Sequence, residues 1–121
     1  MYLKMFSRAI EAAHLSEHRA HRVGAVVTDR KGNIISVGFN KKGYTHPLQK
    51  HYAILAGDSK RCFLHAEIMA LVRAAKSNKV PFAIYVARLT PANRSGKAYP
   101  CSICQIAIEE AGIPKARIYS T

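Results

Sequence analysis

Two short patterns in the sequence bring together residues that bind metal ions. Cys101 and Cys104 are three positions apart, which places both sulfurs on one face of a helix. The positive end of that helix favours the thiolate form that metals bind. With His65 they make three nitrogen and sulfur ligands, and tetrahedral zinc then keeps a fourth position open for water. Glu67 follows His65 by two residues and is placed to move protons rather than to bind the ion. The spacing therefore predicts an open zinc site beside a carboxylate.

A third cysteine allows a different kind of zinc site. Cys62 lies three residues before His65, so a closed site of three cysteines and one histidine also fits the spacing. Such a site could not activate water, and the protein would then be a non-enzymatic, basic, zinc-bearing module that binds nucleic acid. We favour the open site because Cys62 precedes the predicted helix in an irregular loop, and because the closed site leaves Glu67 without a purpose. In that case Cys62 is a small buried hydrophobic residue. Glu67 has an alternative interpretation of its own, as a first-turn acid that is favoured only by the helix dipole.

The elements that must position these residues follow from the hydrophobic periodicity. The pattern predicts helices over residues 3–20, 65–75 and 101–112, and strands over 23–28, 34–39, 82–89 and 116–119. The resulting order, α-β-β-α-β-α-β, indicates a mixed sheet with helices packed on it, in one domain that spans residues 1–121. Both motifs open helices after long segments without periodicity, at 40–61 and 90–99, and loops of that length are usually functional.

Charge and composition limit the class of protein. Nineteen Lys and Arg residues against seven Asp and Glu residues give a net charge of +12, which favours an anionic partner over a merely solubilising surface. A hydrophobic fraction of 49% is enough for a packed core and excludes a disordered chain. Three cysteines, no apolar run of about 18 residues and no signal-peptide core argue against a secreted or membrane protein. We therefore expect a cytoplasmic protein with no membrane contact.

The motifs and their context resemble the zinc-dependent cytidine and deoxycytidylate deaminase superfamily, and are also similar to the tRNA adenosine deaminases. The resemblance covers almost the whole chain. It rests on Val-Gly-Ala-Val-Val at 23–27, Gly-Phe-Asn at 38–40, His-Ala-Glu-Ile-Met-Ala-Leu at 65–71, Pro-Cys-Ser-Ile-Cys at 100–104 and Gly-Ile at 112–113 before a strand ending Tyr-Ser-Thr. It implies an α/β, three-layer, cytidine-deaminase-like fold, a mixed sheet of four or more strands with helices on both faces. It also implies hydrolytic deamination of a cytosine-type base to uracil and ammonia by a zinc-activated hydroxide.

The resemblance also implies roles for individual residues. The zinc ligands are His65, Cys101 and Cys104, and the catalytic proton shuttle is Glu67. The residues that would bind substrate are Ala66, through its backbone N–H to the carbonyl of the base, Asn40, through hydrogen bonds to the sugar or base, and Val23, through packing against the ring. Asn40 could instead be only a turn residue that closes its strand, and Val23 only a part of the core.

Two departures from the family pattern bear on the base and on assembly. The tRNA adenosine deaminases usually have Thr-Leu-Glu-Pro-Cys at the second motif, whereas this chain has Lys-Ala-Tyr-Pro-Cys at 97–101, which disfavours adenine. The chain has four predicted strands where the family core has five. We therefore expect an open sheet edge and a homo-oligomer.

The expected substrate is a cytosine-containing nucleoside or nucleotide. The alternative is cytosine or adenine within single-stranded DNA or RNA, because segments 40–61 and 88–99 carry eight basic residues and one acid. Tyr44 and Tyr52 in the first segment, and Phe63 just after it, could stack on bases. His46 or His51, in the same region, could touch the substrate. The charge thus bears on whether the base arrives alone or on a chain.

Overall fold

The computed structural model describes residues 2–43, 45–58 and 63–121. The helices in these ranges are α1 (Tyr2–Ala13), α2 (Pro47–Leu55), α3 (Ala66–Lys76) and α4 (Ser102–Glu110). The strands are β1 (Arg22–Thr28), β2 (Ile34–Phe39), β3 (Ala83–Leu89), β4 (Ser95–Gly96) and β5 (Ile118–Ser120). A 3₁₀ turn, Lys115–Arg117, leads into β5.

The strands form one mixed sheet, as predicted. β1 lies between β2 and β3 and is antiparallel to both, with Gly24 opposite Phe39 and Val23 opposite Arg88. β4 and β5 pair with the edge of β3 that faces away from β1. β4 is antiparallel beside Arg88, and β5 is parallel beside Ile84. The beginning of β1 therefore lies at the same end of the sheet as the ends of β2 and β3.

Helices cover both faces of the sheet, so the fold has three layers. On one face, α1 packs Met5 and Ala9 against Val26 and Tyr85. On the other face, α3 and α4 pack against the side of β1 that carries Ala25. Successive residues of β1 point to opposite faces, and both faces are buried, as its β-branched run predicts. The predicted α/β arrangement of a mixed sheet between helices is confirmed.

Side chains of α3 also cover the outer edge of β2. Val37 and Phe39 direct their backbone groups away from β1, toward this edge. Arg73 donates from its guanidinium to the Val37 carbonyl at 2.9 Å and lies over the Phe39 ring at 5.9 Å. The Phe39 N–H lies 3.4 Å from the sulfur of Met69, which accepts its hydrogen bond. Helix α3 thus supplies hydrogen-bond partners to backbone groups of β2 that would otherwise be exposed at the edge of the sheet.

Two glycines let the helices approach the sheet more closely than a side chain would allow. A Cβ atom on Gly24 would lie 2.7 Å from the backbone nitrogen of Ala13 in α1. One on Gly38 would lie 2.6 Å from the backbone nitrogen of Ala70 in α3. Both distances are too short for a real contact, so only glycine fits. The first turns of α3 therefore rest directly on the backbone of β2.

We expect Gly38→Ala to push α3 away from β2. The added methyl group meets backbone rather than a flexible side chain, so the neighbouring helix has to move. The free energy of unfolding should fall by about 1–3 kcal/mol, the usual range for overpacked sites. Urea denaturation measures this change. A variant as stable as the wild type would show that α3 can retreat from β2 without loss.

The longest predicted loop contains helix α2, so that prediction is wrong in its middle part. Pro47 takes the first helical position, and Nδ1 of His46 accepts a hydrogen bond from the N–H of Leu48 at 3.1 Å. The helix buries only Gln49 and Ala53. It therefore has no apolar stripe, and hydrophobic periodicity could not detect it.

The lengths of other elements differ less from the predictions. α1 ends at Ala13 rather than at residue 20, because its apolar stripe ends there. The predicted loop 90–99 contains the short strand β4, and β5 begins at Ile118 rather than at residue 116. Strand β2 has its predicted bounds. None of the helices in the described ranges is long and apolar enough to span a lipid bilayer.

Candidate active site

The two motifs meet at one end of the sheet. α3 begins directly after His65 and α4 begins directly after Cys101. A cavity of about 290 Å³ opens there, beside the start of β1 and the ends of β2 and β3. Its walls are formed by His21, Val23, Asn40, His65, Ala66, Glu67, Arg88, Lys97, Ala98, Tyr99 and Cys101. All the residues singled out by the motifs lie on these walls except Cys104, which is buried behind them.

His65, Cys101 and Cys104 form a group that fits Zn²⁺. Nδ1 of His65 lies 3.3 Å from Sγ of Cys104 and 3.6 Å from Sγ of Cys101. All three ligand atoms lie within 4.8 Å of one another. A tetrahedral zinc ion with bonds of about 2.0–2.3 Å separates its ligand atoms by roughly 3.5 Å, so the distances suit it. The donor set of one nitrogen and two sulfurs is also typical of zinc.

The local backbone explains why these side chains converge. His65 and Cys101 are the N-cap residues of α3 and α4, each with extended backbone angles, and neither side chain caps its own helix. Both side chains therefore turn toward the common point instead. Cys104 follows one turn into α4. The positive ends of two helix dipoles meet here, which favours anionic ligands and substrates.

The two thiols of the group differ in acidity. A hydrogen bond from Cys104, together with one from His65, lowers the pKa of the Cys101 thiol to about 3, although its partial burial opposes this. Burial raises the pKa of the Cys104 thiol well above its usual value, and the neighbouring Cys101 and Glu67 add to the effect. The lowered pKa favours the thiolate form of Cys101, which accepts a hydrogen bond from Cys104. A metal ion that binds both sulfurs displaces the Cys104 proton.

Glu67 is a buried carboxyl group on the wall of the cavity. It lies in the first turn of α3 and is 6% exposed. Burial raises the pKa of this carboxyl group, while the charge of His65 acts in the opposite direction. The thiol of Cys104 also forms a hydrogen bond with it. A carboxyl group with a raised pKa beside a metal site can both take up and return a proton.

Asn40 joins the end of β2 to the start of β1. Its side-chain oxygen accepts a hydrogen bond from the N–H of Val23 at 2.9 Å, and its amide nitrogen donates to the carbonyl of His21 at 2.6 Å. This is the strand-closing role that the sequence left open. Asn40, Val23 and Ala66 all line the cavity as well, so their predicted contacts with a substrate stay predictions.

One part of the cavity wall, which we call the basic wall, is formed by His21, Arg88 and Lys97. The sequence motifs gave these residues no individual role. Nε of Arg88 donates to the carbonyl of Lys97 at 2.8 Å, and its Nη1 lies 3.3 Å from Nδ1 of His21. At the same end of the sheet, burial lowers the pKa of His18, and the positive charges of Lys42, His21 and His65 add to this. The sequence did contain one indication of this wall, because Arg88 is a charged residue inside the otherwise apolar strand β3.

Thr121 holds this basic wall against the sheet. Its hydroxyl donates to the carbonyl of Gly96 at 2.6 Å and accepts from the N–H of Arg88 at 3.3 Å. Its carbonyl accepts from the N–H of Ala98 at 3.1 Å, and its own N–H donates to the carbonyl of Val86 at 3.0 Å. The segment that carries Lys97 and Tyr99 into the cavity is thereby pinned to β3.

Other residues that the sequence placed near the mouth lie elsewhere. His46 and His51 belong to the start and interior of α2, and neither lines this cavity. Tyr52 forms a hydrogen bond with Glu110 of α4. Phe63 is half-exposed and is not part of the cavity wall. The predictions for Tyr44, Lys60, Arg61 and Cys62, including the closed zinc site, concern residues outside the described ranges.

The family model for the cytidine and deoxycytidylate deaminase zinc-binding region matches residues 2–120. The chain therefore belongs to the cytidine and deoxycytidylate deaminase family, as its motifs predict. A zinc-binding region defines this family, and the group of His65, Cys101 and Cys104 fits the ion, so zinc is confirmed as the cofactor. No curated protein matches the chain in sequence.

Solved structures of similar proteins support the fold. A cytidine deaminase from Burkholderia pseudomallei has a TM-score of 0.65 at 20% identity, over 93% of this chain and 77% of that one. The dCMP deaminase from the cyanophage S-TIM5, in its apo form, has a TM-score of 0.63 at 24% identity, over 98% and 80%. A mutant cytidine deaminase from Mycobacterium tuberculosis has a TM-score of 0.62 at 16% identity, over 100% and 84%. The predicted cytidine-deaminase-like fold is confirmed.

Proposed function

We propose that the protein removes the amino group from the cytosine base of a nucleotide by hydrolysis, which releases ammonia and leaves uracil. One observation carries this proposal: a single cavity is lined by two members of the metal group, by the buried carboxyl of Glu67 and by the cationic side chains of Arg88 and Lys97. The two members are His65 and Cys101, and Cys104 lies buried behind them. The cyanophage dCMP deaminase, which shares the fold, has also been solved in complex with dCMP and dUMP.

The chain's own residues divide the work of this reaction. His65, Cys101 and Cys104 hold the metal, and zinc, when bound, lowers the pKa of a water molecule in its open position toward 7. Glu67 would take one proton from the attacking water and deliver it to the ring nitrogen, which keeps it in the uracil product. It would then carry the second proton of that water to the amino group, which leaves as ammonia when its bond to the ring carbon breaks. Its raised pKa suits it to hold a proton between these transfers.

The remaining wall residues orient the base and the sugar. Ala66 offers its backbone N–H to the carbonyl oxygen of the base, and Val23 packs against the ring. Asn40 uses one donor and one acceptor to hold the backbone of β1. An asparagine side chain retains one further N–H and one further lone pair, which are available to the sugar or the base.

The basic wall favours a phosphorylated substrate. Arg88 and Lys97 lie on the cavity with no acidic side chain except Glu67 among the lining residues. A volume of about 290 Å³ is small for a ligand site, and suits one nucleotide rather than several. A phosphate group would therefore meet Lys97 and the guanidinium of Arg88, where bidentate contacts are favourable. Segment 88–99 thus provides the charge that distinguishes a nucleotide from a nucleoside.

A substrate panel tests the function. We expect ammonia release from dCMP to exceed release from deoxycytidine, and both to exceed release from a cytosine-containing oligonucleotide. The assay is run at low and moderate salt, because binding to a polymer weakens steeply with salt. Turnover of the oligonucleotide alone, lost as salt rises, would move the substrate to single-stranded nucleic acid. Salt-sensitive binding with no ammonia from any substrate would make the protein a non-enzymatic module.

Lys97→Gln tests the phosphate contact within the same assay. We expect the KM for dCMP to rise about tenfold, which corresponds to about 1.4 kcal/mol, with little change for deoxycytidine. Arg94→Gln is the matched control, because Arg94 is an exposed basic residue in the same hairpin that does not line the cavity. Equal effects of the two variants on dCMP would contradict a specific phosphate contact and indicate a general effect of charge.

Assembly into a homo-oligomer remains a prediction. Strand β5 pairs with β3 on one side, and no strand within the described residues pairs with its other side. Sedimentation equilibrium of the purified chain measures the oligomeric state directly, and a monomer at micromolar concentration would contradict it.

A further inference from the structure

Gln49 is a fully buried polar side chain in helix α2. It is 0% exposed, and it shares the buried side of this helix with Ala53. Burying an amide is unfavourable unless its polar atoms are hydrogen-bonded. An apolar side chain of similar size would fill the same space without that requirement. The position of the amide therefore points to a specific partner.

One such partner is the backbone of His65. Oε1 of Gln49 accepts a hydrogen bond from the N–H of His65 at 3.0 Å, across sixteen positions of sequence. The N–H of an N-cap residue takes no part in the hydrogen bonds of the helix that follows, so it needs an acceptor from elsewhere. Gln49 provides this acceptor. It is the one described side chain that bonds to the backbone of His65.

The surrounding contacts turn this hydrogen bond into a constraint on the ring of His65. The carbonyl of His65 accepts from the N–H of Met69 at 3.1 Å, and the preceding carbonyl, of Leu64, accepts from the N–H of Lys41 at 2.9 Å. With Gln49 on the N–H, the backbone is held on both sides of the residue. These bonds fix the position of the His65 backbone, from which the ring reaches Sγ of Cys104 at 3.3 Å and Sγ of Cys101 at 3.6 Å.

We propose that Gln49 is a positioning residue of the metal centre, which sets the approach of His65 Nδ1 to zinc through the hydrogen bond to the His65 backbone N–H. The proposal goes beyond deamination, because it concerns only how firmly the ion is held. Partners that orient a ligand typically change metal affinity by about 10–100-fold when they are removed. Helix α2, which the sequence pattern did not reveal, thereby becomes part of the support of the site.

The test compares zinc affinity between matched variants of the full chain. Gln49→Met keeps the length and volume of the side chain and removes the acceptor. We expect its zinc dissociation constant, from competition with a chromophoric chelator, to rise about 10–100-fold. Tyr52→Phe is the control, because it removes the bond from α2 to Glu110 of α4 without touching His65. Its zinc affinity should stay within about twofold of the wild type.

A second readout separates positioning from general loosening of α2. Cobalt placed in the site absorbs visible light in bands that depend on ligand geometry, and we expect these bands to shift in Gln49→Met but not in Tyr52→Phe. Gln49→Glu should restore both readouts, since a buried, protonated carboxyl keeps one acceptor and one donor. If Gln49→Met does not fold, Gln49→Ala decides by the same criteria.

Wild-type zinc affinity and cobalt bands in Gln49→Met would overturn the proposal, and so would equal losses in Gln49→Met and Tyr52→Phe. Neither readout depends on turnover. A chain that binds zinc as expected but deaminates nothing would refute the proposed function and leave this proposal standing.

Discussion

We expect Glu67→Gln to lower kcat for dCMP by about 10²–10⁴-fold, the usual contribution of a general acid and base, and to leave zinc bound. Glutamine keeps the size and the hydrogen-bonding shape of the side chain but cannot carry a proton between water and base. Since the carboxyl of Glu67 is buried in the cavity wall, no bulk buffer group can easily replace it. Ammonia release under saturating substrate measures the change.

The same measurement needs a zinc determination and a matched control. Glu67 is not part of the group of side chains that fits the metal, so we expect zinc content to equal that of the wild type. Glu109→Gln makes the same substitution on the exposed side of α4, outside the cavity, and should leave kcat within about twofold. Wild-type turnover by Glu67→Gln would mean that another group moves the proton and that the proposed mechanism is wrong.

Removing zinc is the second change with a large expected effect. Because the residues that would hold the ion lie at the starts of α3 and α4, its binding would stabilise the folded chain by an amount that depends on its concentration. At a free zinc concentration about 1,000 times the Kd, the stabilisation is about 4 kcal/mol. For a chain of this length that corresponds to a Tm difference of about 12–20 °C. We expect a chelator to lower the Tm by this amount and to abolish ammonia release, and added zinc to restore both.

Cys104→Ser identifies the ligands behind this effect. Cys104 is fully buried between the two helix starts, and a serine hydroxyl is a poor substitute for a thiolate toward zinc. The variant should lose the zinc-dependent rise in Tm. Ser102→Ala, on the same first turn of α4 but exposed, is the control and should keep it. A zinc-dependent rise in Cys104→Ser as large as in the wild type would exclude Cys104 as a ligand.

The zinc group and Glu67 could be predicted because their spacing is local. Glu67 lies two positions after His65, and Cys104 lies three positions after Cys101, so one turn of helix fixes each pair. The basic wall could not be predicted in detail. Arg88 meets His21 only because β1 and β3 pair with Val23 opposite Arg88, and a register between distant strands cannot be read from the spacing within either one.

The same reasoning explains what was missed around α2. The buried side of α2 consists of one glutamine and one alanine. Because neither gives a hydrophobic periodicity, the sequence pattern could predict neither the helix nor the hydrogen bond from His65 to Gln49. The sequence predicted that both basic segments, 40–61 and 88–99, would flank the zinc. Within the described residues, only Asn40 of the first segment reaches the cavity, whereas the second contributes Arg88, Lys97 and Tyr99 among others.

The way α3 covers the outer edge of β2 also bears on how this protein behaves in concentrated solution. Fibrils grow when the exposed edge of one sheet adds a strand from another molecule. At the outer edge of β2, the carbonyl of Val37 accepts a hydrogen bond from Arg73, and the N–H of Phe39 donates one to the sulfur of Met69. An incoming strand would have to displace both, and would meet a guanidinium charge as it did so. Helix α3, which carries Glu67, thus also hinders the addition of a strand from another molecule at this edge of the sheet.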